Sequence, residues 1–313
     1  LVGIPSGFTK LDRLTSGWQK AELVIIAARP SMGKTAFALS MARNMAIDHG
    51  KRVAIFSCEM SSIQLVNRLI IAETDIPGEK IKNGRLSEEE WKQLDSRIKK
   101  LVQASIFIDD TPAISIFELR AKCRRLVAQH KLDIVIVDYL QLMSGPENAG
   151  SREQEVSTIS RSLKSIAKEL NVPILALSQL NRSVEMRGGT KRPLLSDLRE
   201  SGAIEQDADM VVFIHRQEKF GIPTFEDGSS TKGIAEIILA KNRNGPVDDV
   251  RLKFREEKAQ FLDIDEFEFG DGPGISEGSQ SITLGSKMNH DKFHRAGNGF
   301  DDESDLLNEP PFA

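Results

Sequence analysis

Ala28-Arg29-Pro30-Ser31-Met32-Gly33-Lys34-Thr35 closes an apolar run and opens a helical one. A phosphate-binding loop asks for Gly, four residues, then Gly-Lys-Ser/Thr. Ala28 stands at the first Gly position, and Pro30, with its fixed φ, pre-sets the turn in compensation. Backbone N–H groups at a helix start, reinforced by the helix dipole, bind phosphate oxygens. Gly33 lets the backbone approach closely. Lys34 would reach the β and γ phosphates, and Thr35 would ligate Mg²⁺. The alternative is an incidental Gly-Lys-Thr, which the strand before it and the helix after it disfavour.

Other polar residues end apolar strands. Asp138 follows Ile134-Val135-Ile136-Val137, where an acid could hold Mg²⁺ or simply cap the next turn. Glu59 follows a second strand and could orient an attacking water, or be a surface carboxylate. Gln179 ends a third strand, and its neutral amide could contact a γ-phosphate and report its loss. Lys241 and Arg243 lie in Ala240-Lys241-Asn242-Arg243-Asn244-Gly245-Pro246. An arginine there could stabilise transition-state charge, or end a solvated basic strand.

These residues must be held by an alternating scaffold. Strands are expected at 23–28, 52–57, 106–109, 133–138 and 173–179. Helices are expected at 34–49, 61–74, 87–103, 115–130 and 153–170. Ser87 and Glu90 form a capping box. Continuous apolar strands between helices indicate an α/β fold, mostly parallel, with helices on both faces. Four later strands, 210–215, 233–241, 250–254 and 260–264, are separated by turn signals and extend the sheet antiparallel. Residues 1–20 read as a lead-in and 21–264 as the main domain. The connection 180–207 is polar and long, a length that is usually functional or disordered. It carries Arg182, Arg187, Lys191, Arg192 and Arg199 with no aromatic residue. Any grip on nucleic acid would therefore use phosphates rather than base stacking. Its acids, Glu185, Asp197, Glu200 and Glu205, make a solvated mixed-charge loop the plainer reading.

Composition bounds the rest. Apolar residues make up 40% and charged residues 28% of 313, ordinary for a globular chain. No run of about 18 apolar residues exists to span a bilayer, and no basic-then-apolar signal pattern opens the chain. Cys58 and Cys123 supply neither a disulfide framework nor a zinc set, so a cytoplasmic setting is expected. The net charge of −4 averages two regions: residues 263–313 hold twelve acids and three bases, a net of −9, and leave +5 on the rest. A mildly basic body permits nucleic-acid binding. The acidic segment from 265 is expected to be disordered, for want of apolar surface to bury.

The motifs also occur in a telling order: GIPSGFTKLDRLTSGWQ (3–19), ARPSMGKTAFAL, FSCEMS (56–61), IVIVDYLQLM (134–143), ALSQLNR (176–182), SDLRESGAIEQDAD (196–209) and KNRNGP. Together they resemble the RecA-like motor domain of bacterial replicative DNA helicases, the DnaB family, over residues 1–264. That family carries Ala at the position of Ala28. The resemblance implies a RecA-like P-loop NTPase core in a homo-hexameric ring. It implies ATP and Mg²⁺ held by 28–35 and Asp138, Glu59 as catalytic base and Gln179 as γ-phosphate sensor. Lys241 and Arg243 would reach the neighbouring subunit's ATP, with Arg243 as the finger. Arg199, Glu200 and Gly202 match positions that contact single-stranded DNA, along which the family moves 5′ to 3′. It further implies an amino-terminal helical domain, primase and a helicase loader as partners of the full-length family, and a place at the nucleoid. The runner-up is a RecA-like recombinase or repair ATPase that forms a DNA-bound filament.

Overall fold

The structure is a computed structural model that describes residues 2–74, 76–145 and 150–264, and of residues 82 and 199–201 the backbone only. In chain order the elements are α1 (Thr9–Thr15), β1 (Leu23–Ala28), α2 (Lys34–Arg43) continued by a π-turn Asn44–Asp48, β2 (Val53–Ser57), α3 (Ser62–Glu73), α4 (Gly78–Asn83), α5 (Glu88–Gln103), β3 (Ile106–Asp109), α6 (Ile116–His130), β4 (Ile134–Asp138), α7 (Arg152–Leu170), β5 (Ile174–Gln179), α8 (Ser183–Met186), a 3-10 segment Leu195–Ser201, α9 (Gly202–Asp207), β6 (Met210–His215), β7 (Ile234–Asn242), β8 (Asp249–Arg255) and β9 (Gln260–Leu262).

The described strands form one nine-stranded sheet in the order β3-β2-β4-β5-β1-β6-β7-β8-β9. Strands β3 through β6 in that order are parallel, and β7, β8 and β9 are antiparallel. Successive side chains of a strand face opposite ways, and β1 divides accordingly. Val24, Ile26 and Ala28 join a core with Phe8 and Leu11, Phe37 and Met41 of α2, and Leu65 of α3. Leu23, Ile25 and Ala27 join a second core with Leu119 of α6 and Ile159 and Leu163 of α7. Both faces of the sheet are thus covered, which is why its central strands read as unbroken apolar runs. The α/β architecture expected from the sequence is the one observed.

Local signals set the helix starts. The Ser87 hydroxyl accepts from the Glu90 N–H at 3.2 Å, and the Glu90 carboxylate accepts from the Ser87 N–H at 2.9 Å. A second box of this kind opens α3 at Ser61 and Gln64.

Two stretches differ from the sequence reading. The lead-in contains α1, and Phe8, Leu11 and Trp18 are fully buried. Its Gly and Pro residues mark tight turns rather than a loose arm, because the Asp12 carboxylate accepts from the Ser6 and Gly7 N–H groups at 2.6 and 3.1 Å. The connection 180–207 is folded into α8, the 3-10 segment and α9. Its pieces are too short for a helical period to show, and they are anchored singly by buried Leu180, Val184, Leu198 and Ile204. Strand β9 ends at Leu262. The acidic segment read as disordered from 265 lies outside the described residues.

Candidate phosphate-binding site

In open α/β sheets ligands bind outside the carboxyl ends of the parallel strands. Four of the residues singled out stand at or just beyond such ends. Ala28 of β1 is in register with Gln179 of β5, and Ser57 of β2 with Asp138 of β4. Glu59 lies two residues past Ser57 and is exposed.

Residues 29–33 turn the chain from β1 into α2. Gly33 caps the helix with φ +96°, in the left-handed region. A Cβ there would also meet the Phe261 ring at 3.1 Å and the Phe254 ring at 3.3 Å. Glycine is therefore required twice, by backbone conformation and by space. Ser31 also adopts a positive φ, +67°. Pro30 and Ser31 are exposed, and Met32 is buried in the core beneath the loop.

The two walls of the site meet at Asp138. The Thr35 hydroxyl donates to Asp138 Oδ2 at 2.6 Å, and Lys34 Nζ stands 3.6 Å from Asp138 Oδ1. Oδ1 is buried and accepts no hydrogen bond. A buried carboxylate oxygen that accepts no hydrogen bond, with a hydroxyl on the other oxygen of the same group, suits a hard cation. Among the described residues no cluster of three or more His, Cys, Asp or Glu could hold a metal alone. Thr35 and Asp138 fit a Mg²⁺ that takes its remaining oxygens from phosphate and water, the usual coordination of that ion.

Lys34 lies over the Tyr139 ring at 3.9 Å. Burial pushes its amine below the ordinary lysine value, and the charges of Asp138 and Glu59 push it back up. Burial likewise raises the Tyr139 phenol, with Glu59 and Asp138 adding to it. Lys34, Thr35, Glu59, Asp138 and Tyr139 therefore share one electrostatic site. Tyr139 was not singled out in the sequence, although it directly follows Asp138; the signal available was an aromatic next to a strand-end acid.

Gln179 is held through its backbone. Gln141, three residues past β4, accepts from the Gln179 N–H at 3.3 Å and donates to the Gln179 carbonyl at 3.2 Å and to the Ser178 hydroxyl at 2.8 Å. A cavity of about 140 Å³, lined in part by Gln141, Gln179, Asn181 and Asp197, lies beside it.

Arg29 departs from its expected place. Although it belongs to the loop, its buried side chain turns away from the helix start. It donates to the Leu180 carbonyl at 2.7 Å and to Glu185 at 2.7 Å. Only its main chain is left to contribute to the cradle.

Lys241 and Arg243 are not brought to this site. The Arg243 N–H donates to the Asp209 carbonyl at 2.9 Å, and the Asp209 N–H donates to the Leu23 carbonyl at 2.9 Å, so Arg243 is level with the start of β1. Five steps of strand, roughly 16 Å at about 3.3 Å each, separate that end from Ala28. Lys241 Nζ donates to the Glu205 carbonyl at 2.6 Å. Arg243 Nη1 lies 3.3 Å from Asp209 Oδ1, and Nη2 donates to the Gln206 carbonyl. Burial and the adjacent Arg243 lower the Lys241 amine. Half of the Arg243 side chain is exposed.

Arg199 and Glu200 lie in the 3-10 segment Leu195–Ser201, and their side chains fall outside the described residues. Gly202 is exposed at the start of α9. Among the described residues no helix is long and apolar enough to cross a membrane.

Residues 3–263 match the DnaB-like helicase C-terminal domain. The chain is 51% identical over 266 residues to the replicative DNA helicase DnaB of Geobacillus stearothermophilus, covering 85% of this chain and 57% of that protein. It is 50% identical over 266 residues to the replicative DNA helicase DnaC of Bacillus subtilis (strain 168), again 85% of this chain and 57% of that protein. It thus spans a little over half the length of these curated relatives. Among solved structures it is similar to an ATPase domain, with 43% identity, a TM-score of 0.77, and coverage of 84% of this chain and 92% of that one. A DnaB-like replicative helicase, solved with attention to its interactions with primase, matches with the same identity and TM-score over 84% of this chain and 62% of that one.

Proposed function

The chain belongs to the DnaB-like helicase C-terminal domain family, and from that premise we propose that it is the ATP-hydrolysing motor of a replicative DNA helicase. It works as a ring of six copies, moves 5′ to 3′ along single-stranded DNA, and unwinds duplex at the replication fork. The observation that carries the reading is the 2.6 Å contact between Thr35 and Asp138, whose buried Oδ1 accepts no hydrogen bond and faces the Lys34 ammonium at 3.6 Å. It joins the phosphate loop to the acid of the β4 strand end.

Each residue has a task that its position supports. The N–H groups of Gly33, Lys34 and Thr35 at the start of α2 and the Lys34 ammonium grip the triphosphate. Thr35 and Asp138 hold Mg²⁺, which when bound neutralises charge on the β and γ phosphates. Glu59, exposed at the rim and near Lys34, takes the proton of the attacking water. Gln179, in register with Ala28, contacts the γ-phosphate and registers its departure. Arg243, at the far end of β1 from its own loop, and Lys241, two residues before it, act on the neighbouring copy's triphosphate. The bonds of Arg243 to Asp209 and to the Gln206 carbonyl are exchanged for phosphate when two copies meet. Arg199, Glu200 and Gly202 contact the DNA strand. Primase and a helicase loader are partners of the assembled protein, in the cytoplasm at the nucleoid. The family match speaks against the recombinase reading.

The test mixes two inactive proteins. Lys34→Ala abolishes nucleotide binding in its own site, and Arg243→Ala leaves binding intact but removes the finger, whose loss costs about 10³-fold or more in turnover. Hybrid rings recover part of the DNA-stimulated ATPase, because one copy supplies the loop and its neighbour the arginine. Failure of mixing to restore any activity would refute action between copies. Absence of any stimulation by single-stranded DNA at low salt would refute the helicase reading.

A further inference from the structure

Arg29 is the second residue of the phosphate loop, and it is 7% exposed. A buried guanidinium needs partners for its donors, and the partners it has do not belong to the loop. Nε and Nη2 each lie 2.7 Å from Glu185 Oε1, and Nη1 donates to the Leu180 carbonyl at 2.7 Å. The Leu180 N–H donates in turn to the Ala28 carbonyl at 3.0 Å. The first two residues of the loop are therefore tied to the segment that follows Gln179 by side chain and by main chain.

That segment is itself anchored to the core and to residues further along the chain. Leu180 and Val184 plant it in the core. The Asn181 N–H donates to the Asp197 carbonyl at 3.2 Å. Arg187 forms a two-pronged pair with the buried Asp197, at 2.6 and 3.1 Å, and the Leu194 N–H donates to the same carboxylate at 2.7 Å. Asp197 lies within the 3-10 segment Leu195–Ser201. A continuous polar chain thus runs from the phosphate loop to that segment without passing through the side chain of Gln179.

We infer that Arg29 is a positioning residue. It transmits occupancy of the phosphate loop to residues 180–201 through Glu185 and the Leu180 carbonyl. The linkage to DNA rests on the function proposed above; the linkage within the chain does not. When phosphate draws the loop backbone toward itself, the guanidinium moves with the loop, and the segment either follows or loses a charged contact.

The test uses Glu185→Ala and Glu185→Gln. Glu185 lies outside the loop and its side chain is 45% exposed, so nucleotide affinity is expected to stay within about twofold. The readout is amide hydrogen exchange of residues 181–187, with and without a non-hydrolysable ATP analogue. A partly exposed charge pair is worth up to about a fivefold shift in an equilibrium. The analogue should change exchange by about that factor in the wild-type chain, by less than twofold in Glu185→Ala, and by an intermediate factor in Glu185→Gln, which keeps an acceptor without the charge. A merely structural contact would alter exchange equally with and without nucleotide. Two results would overturn the inference: no nucleotide-dependent change in the wild-type chain, or the same change in Glu185→Ala at equal occupancy. Binding of a fluorescent single-stranded oligonucleotide is measured alongside. Its absence with the exchange difference intact would sink the DNA reading and leave the Arg29 linkage standing. DNA binding with no effect of Glu185 on exchange would do the reverse.

Discussion

Replacing Gly33 by alanine tests how the phosphate loop is built. Two costs follow from the structure. At φ +96° any side chain is strained, by about 1–3 kcal/mol. The new Cβ would also stand 3.1 Å from the Phe261 ring and 3.3 Å from that of Phe254. Phe261 cannot easily yield. Its ring packs edge-on against Phe37 with centroids 5.2 Å apart, and its N–H donates to the Ser40 hydroxyl at 3.0 Å. Forcing a methyl into such a site costs about 1–3 kcal/mol. Together these predict a loss of roughly 2–6 kcal/mol, a large part of the roughly 5–15 kcal/mol typical of a domain. The chain can shed the strain only by turning the loop. That would misdirect its N–H groups and cost about tenfold or more in nucleotide affinity for each charge-assisted bond lost. The control is Gly50→Ala, where φ is +60° and nothing lies within 4 Å of the added atom. It carries backbone strain alone, about 1–2 kcal/mol. Urea denaturation and titration with a fluorescent ATP analogue separate the two. If Gly33→Ala were no more destabilised than Gly50→Ala and bound nucleotide as tightly as the wild type, the explanation of the loop from steric crowding would be wrong.

His215 offers an acid test. Burial lowers its imidazole from 6.5 to about 4, and its Nε2 lies 2.9 Å from the Thr190 carbonyl. The unfolded chain takes up the proton first, so stability falls as pH drops from about 6.5 toward 4, by about 3 kcal/mol in all; urea midpoints should fall across that window and do so less steeply in His215→Gln. Lys34 titrates below the ordinary lysine value of 10.5 in the free chain, and bound phosphate raises it. ATP affinity should therefore be flat at low pH and weaken as pH rises through the free-chain value, with Lys34→Arg extending the flat region in calorimetric titrations. Asp209 accepts from the Leu23 N–H at 2.8 Å and from Lys164 at 2.5 Å, and pairs with Arg243. Asp209→Asn should destabilise by about 3 kcal/mol, seen as a lower urea midpoint, whereas Arg243→Ala, on an exposed partner, should cost under about 1 kcal/mol.

The sequence by itself determined the order of strands and helices, the parallel core and the strand ends that carry Asp138, Glu59 and Gln179. These rest on short-range patterns: unbroken apolar runs, capping residues and a Gly-Lys-Thr at a helix start. It also placed Lys34 and Thr35 at the opening of α2, because the residues that follow Gly33 begin the helix. Tertiary structure decided what depends on residues distant in the chain. It turned Arg29 from the cradle to Glu185, 156 positions away. It set Tyr139 beneath the Lys34 ammonium and put Arg243 at the opposite end of β1 from the loop of the same chain. It made a packed helix of residues 9–15, which Gly and Pro punctuation had disguised. In each case the deciding partner is brought near only by the order in which strands join the sheet, and no local pattern encodes that order.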